Sequence, residues 1–225
     1  GGNPLIYHGH TDEVNGVSWW SETRLIASAS KDATVQVWDP TTGIASGIYR
    51  GHSQNVNAVA WAPSGSLIAS AGHDMTAQVW DGTTQQTIAI CHGHTKTVWD
   101  VSWSPDGQFI ASASLDGTVK IWEANTGVNI FSYPGHQKGA SSVAWSGDGK
   151  FIASGGYDGQ VHVWDPTNGN LLFTYQGHTD IVWTVSWSKN NQRIASASQD
   201  KTVQIWDAMA GTNVFVYKHH TAKVW

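Results

Sequence analysis

Apolar residues occur along this chain in short runs, and turn-forming residues separate the runs. Residues 51–92 show the pattern with the runs VNAVAW (56–61), LIASAG (67–72), TAQVW (76–80) and TIAI (87–90). Runs of this length, rich in Val, Ile, Ala and Trp, predict β-strands that follow one another as an antiparallel meander. No segment has the length and the 3.6-residue periodicity of an amphipathic helix. The pattern therefore predicts an all-β protein built from four-stranded sheets.

The same pattern returns every 42 residues without an insertion or a deletion. Each repeat begins with Gly-His, and the histidines are His10, His52, His94, His136 and His178. Each repeat also carries a tryptophan followed by an acidic residue, and these tryptophans are Trp38, Trp80, Trp122, Trp164 and Trp206. A second tryptophan series in the same phase consists of Trp19, Trp61, Trp103, Trp145 and Trp187. The two series account for ten of the 14 tryptophans, so the composition follows from repetition.

We interpret the whole chain, residues 1–225, as one domain of five repeats. Their approximate bounds are 9–50, 51–92, 93–134, 135–176 and 177–218, and residues 219–225 begin a partial sixth copy. A four-stranded sheet that is apolar on both faces is not stable alone in water. Sheets arranged around an axis bury both faces against their neighbours, so the repeats predict a β-propeller.

The chain resembles the WD-repeat family of β-propellers over its full length. The residues that carry the resemblance are the Gly-His pairs, the ASAS-like second strands, an Asp in the following turn and the closing Trp-Asp. The even spacing is similar to that of repeats in bacterial multidomain signalling proteins. The resemblance implies an interaction scaffold without catalytic activity.

A serine, a histidine and an aspartate recur in each repeat, and the same three residue types form hydrolytic triads. A catalytic site is needed once, whereas a building element is needed once in each blade. The resemblance implies that these residues and the closing tryptophan form a hydrogen-bonded structural tetrad. The tetrads are His10, Ser28, Asp32 and Trp38; His52, Ser70, Asp74 and Trp80; His94, Ser112, Asp116 and Trp122; His136, Ser154, Asp158 and Trp164; and His178, Ser196, Asp200 and Trp206.

Composition and charge indicate which classes of partner the protein binds and in which compartment it is found. The formal net charge is −5 and no basic cluster stands out, so we expect neither nucleic-acid nor membrane binding. The single cysteine, Cys91, forms no internal disulfide, which fits a cytoplasmic protein. The segment CHGH (91–94) suggests a metal site, but His94 belongs to a tetrad. We predict no metal, no cofactor and no enzymatic activity.

Candidate contact residues are those that vary between repeats at the rim of the ring. One such position is the fifth residue after each Gly-His histidine, and the other directly precedes each tetrad aspartate. The large side chains at these two positions are His73, Trp99, Leu115, Tyr157 and Trp183. Exposed tryptophan and tyrosine are typical of binding hot spots, so we predict a site for a peptide or protein partner. The alternative is that Trp99 and Trp183 fill the central channel.

The number of blades in the complete ring stays open at this stage. Residues 1–9 and 211–219 both correspond to the outermost strand, and residues 221–225 begin a further inner strand. Three arrangements are compatible with this: a closed five-bladed ring, a segment of a larger propeller, and a homo-oligomer that completes the ring. We expect a protein-interaction scaffold. The alternatives are a recognition fragment of a larger signalling protein and a purely structural repeat array without a ligand.

Overall fold

The computed structural model describes residues 5–20, 22, 24–63 and 65–224. These residues form twenty strands, four in each of five blades. In blades 1 and 2 the strands are β1 (Val14–Trp20), β2 (Leu25–Ser30), β3 (Val35–Trp38), β4 (Ala45–Tyr49), β5 (Val56–Trp61), β6 (Leu67–Gly72), β7 (Ala77–Asp81) and β8 (Thr87–Cys91). In blades 3 to 5 they are β9 (Val98–Trp103), β10 (Phe109–Ser114), β11 (Val119–Glu123), β12 (Asn129–Tyr133), β13 (Ala140–Trp145), β14 (Ile152–Gly156), β15 (Val161–Trp164), β16 (Leu171–Tyr175), β17 (Val182–Trp187), β18 (Arg193–Ser198), β19 (Val203–Asp207) and β20 (Phe215–Tyr217).

Each blade is a meander in which consecutive strands pair antiparallel. The prediction of an all-β chain with five four-stranded units is confirmed. The four runs predicted for residues 51–92 agree with β5 to β8 to within one residue at either end. Thr76, placed in the third run, instead lies in the turn before β7.

Neighbouring blades pack face to face along the chain. The first strands β1, β5, β9, β13 and β17 lie innermost, each beside the next. At the junction of blades 1 and 2, small residues of β2 and β3 meet the bulky face of blade 2, which carries Trp61 and Trp80. The same arrangement forms the cores between blades 2 and 3, 3 and 4, and 4 and 5. Small side chains on one face leave room for indole rings on the other, which gives close packing.

The two outer faces of the blade array are exposed. In blade 1, Val17 and Trp19 are 68% and 54% exposed, whereas Val59 and Trp61 of blade 2 are 8% and 9% exposed. In blade 5, Tyr217 is 41% exposed, whereas its blade 1 equivalent Tyr49 is 3% exposed. Of the three arrangements that the sequence left open, the structure therefore does not show the closed five-bladed ring.

Candidate functional site

Each blade holds one hydrogen-bonded set of Ser, His, Asp and Trp. In blade 3, His94 Nδ1 lies 2.9 Å from Asp116 Oδ2, and His94 Nε2 lies 2.8 Å from Ser112 Oγ. Trp122 Nε1 donates to the same serine oxygen at 2.7 Å. The other four sets with these contacts are His10, Ser28, Asp32 and Trp38; His52, Ser70, Asp74 and Trp80; His136, Ser154, Asp158 and Trp164; and His178, Ser196, Asp200 and Trp206.

The tetrad serines are unsuited to nucleophilic attack. Ser70, Ser112 and Ser154 are 0% exposed, and each serine oxygen is already engaged by an imidazole and an indole. A nucleophile must reach a substrate carbon as well as its base. The geometry instead links the loop before a blade to its second and third strands and satisfies polar groups inside the sheet.

The tetrad aspartates are held as carboxylates. Burial opposes the charge of Asp74, but hydrogen bonds from His52, from the Thr76 hydroxyl and from the Ser53 backbone N–H outweigh it. They lower the pKa of Asp74 from 3.8 to about 2. The pKa of Asp116 is lowered by the corresponding bonds, again against the effect of burial.

Blade 4 departs from the other tetrads. Its His136 Nδ1 lies 3.3 Å from Asp158 Oδ2, and the His136 ring stacks on His162 with centroids 4.4 Å apart. Burial, together with the neighbouring His136, lowers the pKa of His162 from 6.5 to about 4, although Asp158 acts in the opposite direction. His162 Nε2 lies 3.1 Å from Gln160 Oε1, an acceptor, so in neutral His162 the proton is on Nε2. His162 Nδ1 then accepts from the Tyr133 hydroxyl, which lies 3.1 Å away.

A tyrosine from the preceding outer strand covers most closing tryptophans. Tyr49 stacks on Trp80 with centroids 4.4 Å apart, and its hydroxyl donates to Gln78 Oε1 at 2.7 Å. At Trp122 the equivalent residue is Cys91, which is 0% exposed. Burial raises the pKa of the Cys91 thiol to about 12, so this cysteine is an apolar core residue.

The CHGH segment offers no converging set of ligands. His94 uses both ring nitrogens in its tetrad, which leaves neither for a metal. Within residues 5–20, 22, 24–63 and 65–224 there is no group of three or more His, Cys, Asp or Glu placed to hold a metal ion.

The variable inner position, fifth after each Gly-His histidine, is a β-bulge in every blade. In β9, Val98 pairs with Ser114 and Asp100 pairs with Ala113, so Trp99 is the extra residue. The equivalent residues of the other blades are Asn15, Asn57, Ser141 and Trp183. Successive side chains of a strand point to opposite faces of the sheet, and a bulge interrupts this alternation. The side chains at the bulge position therefore do not point to either face in the regular way.

Three of these bulge residues join neighbouring blades. The side-chain amide of Asn15 donates to Val56 O at 2.9 Å, and that of Asn57 donates to Val98 O at 2.8 Å. Ser141 Oγ donates to Val182 O. These contacts were not expected from the sequence, which suggested only an exposed rim position.

The remaining two bulge residues form an aromatic cluster with their neighbours, which we define as His73, Trp99, Trp183 and Tyr157. Trp99 and Trp183 meet edge to face with centroids 6.4 Å apart. His73 packs on Trp99 at 5.4 Å, and Tyr157 packs on Trp183 at 5.5 Å. Leu115 lies apart from these ring contacts, in the turn after β10 beside Gly139. All five predicted contact residues are partly exposed, and four of them are contiguous.

Trp99 and Trp183 of the aromatic cluster line an open cavity to which the inner strands of all five blades contribute. The cavity has a volume of about 620 Å³, and its lining includes Trp99, Trp183, Asn57 and Asp100. Burial raises the pKa of Asp100, against hydrogen bonds from the Val143 N–H and the Ser142 hydroxyl. Asp100 thus binds blade 3 to blade 4, and sequence reasoning missed it because no repeat equivalent is acidic.

A second cavity of about 410 Å³ lies between blades 3 and 4. Its lining is more apolar and includes Phe109, Ile130, Phe131 and Trp145. The sequence analysis did not single out this groove, because its lining comes from two successive repeats, with Phe109, Ile130 and Phe131 in one and Trp145 in the next. No helix in the described part of the chain is long and apolar enough to cross a membrane.

Comparison with known proteins gives one result. The profile of the WD domain, G-beta repeat (WD40) family matches five times, at residues 3–39, 44–81, 85–123, 127–165 and 169–207. The last four matches begin near the outer strands β4, β8, β12 and β16, and all five end at the acidic residue after a closing tryptophan. No curated protein sequence matches significantly. WD40 propellers are generally non-enzymatic scaffolds for protein interactions, and this chain belongs to the WD40 family.

Proposed function

We propose that this protein is a non-catalytic scaffold that binds a peptide segment of a partner protein at the aromatic cluster. The observation that carries the proposal is the contiguity of His73, Trp99, Trp183 and Tyr157, because Trp99 and Trp183 also line a cavity. Tryptophan and tyrosine supply large contact area at low conformational cost, and they dominate hot spots in protein interfaces.

The chemistry of the cavity suggests the kind of segment that it receives. The lining combines the aromatic residues Trp99 and Trp183 with the polar residues Glu13, Asp100 and Thr184. Aromatic walls with a few polar groups suit an extended segment that inserts one apolar side chain and hydrogen-bonds through its backbone. The net charge of −5 favours such a peptide over nucleic acid or an anionic membrane.

Selection of peptides from a displayed random library tests the proposal. Peptides that bind the wild-type chain should lose at least tenfold in affinity on the Trp99→Asn/Trp183→Ser variant. Both replacements occur at this bulge position in other blades, as Asn57 and Ser141, so the variant should fold. The matched control is Phe131→Ala in the second cavity, which should keep the affinity.

Three results would count against the proposal. Equal affinity for wild type and the double variant would place the binding surface elsewhere, and loss only with Phe131→Ala would assign it to the groove between blades 3 and 4. If no peptide binds, the mutual contact of Trp99 and Trp183 favours the channel-filling alternative and a purely structural array.

A further inference from the structure

The groove between blades 3 and 4 is open because a glycine stands where the next junction has a bridging side chain. Between blades 4 and 5, Asn191 Oδ1 accepts a hydrogen bond from the Gly147 backbone N–H at 2.7 Å. The equivalent residues between blades 3 and 4 are Gly149 and Pro105, which line the groove and supply neither that acceptor nor that donor. The two junctions share their aromatic residues, with Phe109, Phe131 and Trp145 corresponding to Phe151, Phe173 and Trp187.

The groove has the size and the apolar walls of a small-molecule site. Its volume of about 410 Å³ lies within the range of such sites, roughly 300–1,000 Å³. The described residues that line it are all different from those that line the cavity at the aromatic cluster. The two sites are therefore separate. The apolar walls of the groove consist of Phe109, Ile121, Ile130, Phe131 and Trp145.

Two aspartates of the lining are fixed in corresponding turns of the two blades. Ser104 Oγ donates to Asp106 Oδ1 at 2.6 Å, and Ser146 Oγ donates to Asp148 Oδ1 at 2.7 Å. The bond from Ser146 lowers the pKa of Asp148, so this group is a carboxylate at neutral pH. Asp148 Oδ2 lies 3.8 Å from Nζ of Lys150, whose side chain is exposed. An exposed ion pair at this distance is weak, so a ligand cation can compete with it.

We propose that the groove binds a small arylalkylamine, whose apolar part packs on the aromatic walls and whose ammonium group faces Asp106 and Asp148. The described residues that line the groove include these two acidic side chains and no basic one. The faces of Phe and Trp rings also attract a cation. An anion of the same shape is repelled by both carboxylates, and a neutral compound lacks their attraction. This site is additional to the proposed peptide site and does not depend on it.

Three probes of similar size and different charge test the proposal by isothermal titration calorimetry. The probes are naphthylethylammonium, the neutral naphthylethanol and the anionic naphthylacetate. The ammonium compound should bind about fivefold more tightly than the alcohol, because it gains two partly exposed charge contacts. The anion should bind most weakly. The preference for the ammonium compound should shrink as the salt concentration rises.

The variant Asp106→Asn/Asp148→Asn removes the charges and keeps the shape of the groove. Blade 5 already has Asn190 at this position, and Asn190 Oδ1 accepts from Ser188 Oγ at 2.7 Å as the aspartates do from their serines. The variant should therefore fold. Its affinity for naphthylethylammonium should fall to that for the alcohol, whereas its affinity for the alcohol should stay as in the wild type.

The variant Gly149→Asn tests the opening itself. It copies Asn191, and both positions have a left-handed backbone that asparagine tolerates, with φ of 72° and 58°. The new side chain should weaken binding of both the ammonium compound and the alcohol. The control Trp99→Asn/Trp183→Ser changes the other cavity and should bind both probes as the wild type does.

Equal affinity of the wild type for the ammonium compound and the alcohol would overturn the proposal, as would a failure of all three probes to bind. Full ammonium affinity in Asp106→Asn/Asp148→Asn would remove the assigned role of the carboxylates. Loss of binding only in Trp99→Asn/Trp183→Ser would place the probe at the aromatic cluster. Binding of acetyl-Phe-Lys-amide but not of the free amine would assign the groove to a peptide instead.

Discussion

The tetrad of blade 3 and the aromatic cluster are built from similar residue types, but they differ in how often they occur. His94, Ser112, Asp116 and Trp122 have equivalents in every blade, and their polar atoms bind one another inside the sheet. Trp99 and its ring neighbours occur once and border a cavity. Repetition marks what every blade needs for stability, whereas a residue that occurs once serves a single place in the array, such as the junction that Asp100 forms or the candidate binding site.

The largest expected effect comes from breaking a tetrad. His94→Ala leaves Ser112 and Asp116 without their shared partner, and unsatisfied buried groups cost about 1–3 kcal/mol each. We expect a loss of about 3 kcal/mol in the free energy of unfolding, measured by urea denaturation. For a chain of this size that corresponds to a melting temperature lower by ~6–12 °C. His92→Ala, which removes an exposed imidazole two residues away, should change neither; equal losses in both variants would argue against a role of the tetrad.

A smaller effect is expected from the pH dependence of blade 4. The pKa of His162 is about 4 in the folded chain and 6.5 for an ordinary histidine, so the unfolded chain binds a proton that the folded chain rejects between these values. Stability due to this group is therefore lost as the pH falls from 6.5 to 4. His162→Gln copies Gln36, Gln78 and Gln204 and should remove that loss.

The measurement is the urea midpoint of both proteins at pH 7 and at pH 5. The wild-type midpoint should fall by more than that of His162→Gln, and His92→Gln should keep the wild-type difference. Below about pH 4 both proteins should weaken together, because the carboxylate of Asp74, with a pKa of about 2, stabilises the fold only while it is ionised. Identical pH profiles above pH 4 would contradict the role of His162.

A gain in stability is expected at Met75, because two other blades have glycine at the equivalent position. Met75 follows the tetrad aspartate of blade 2 with φ of 64°, and the equivalent Gly117 and Gly159 have φ of 92° and 77°. A side chain in this left-handed region costs about 1 kcal/mol, so Met75→Gly should raise the free energy of unfolding by ~0.5–1 kcal/mol. Met209→Gly, at an exposed methionine that has no positive φ, should not raise it.

The blades could be predicted from the sequence because every repeat must form the same four strands and the same tetrad. Five copies of each strand pattern and each Trp-Asp pair separate signal from local variation. The candidate contact residues could be named from the sequence. Which residues at the bulge position join two blades and which form the aromatic cluster could not be predicted. Asn57 donates to Val98 O across a blade junction, whereas Trp99 at the same position does not. That difference depends on bulge geometry and on the separation between blades, which no single repeat encodes.

The two outer faces of the blade array illustrate the same limit. Val17 and Val59 occupy equivalent positions in nearly identical local sequences, and only the structure reveals that one is exposed and the other is buried. Burial of a blade face is set by the presence of a neighbour. The sequence therefore left the completion of the ring open.

Parallel urea denaturation of His94→Ala and Trp99→Asn tests the central distinction most directly. Trp99→Asn places the residue of Asn57 at the equivalent bulge, so it should change the free energy of unfolding by less than about 1 kcal/mol. His94→Ala should lower it by about 3 kcal/mol. Equal losses, or a larger loss for Trp99→Asn, would contradict the account, because the aromatic cluster would then belong to the scaffold.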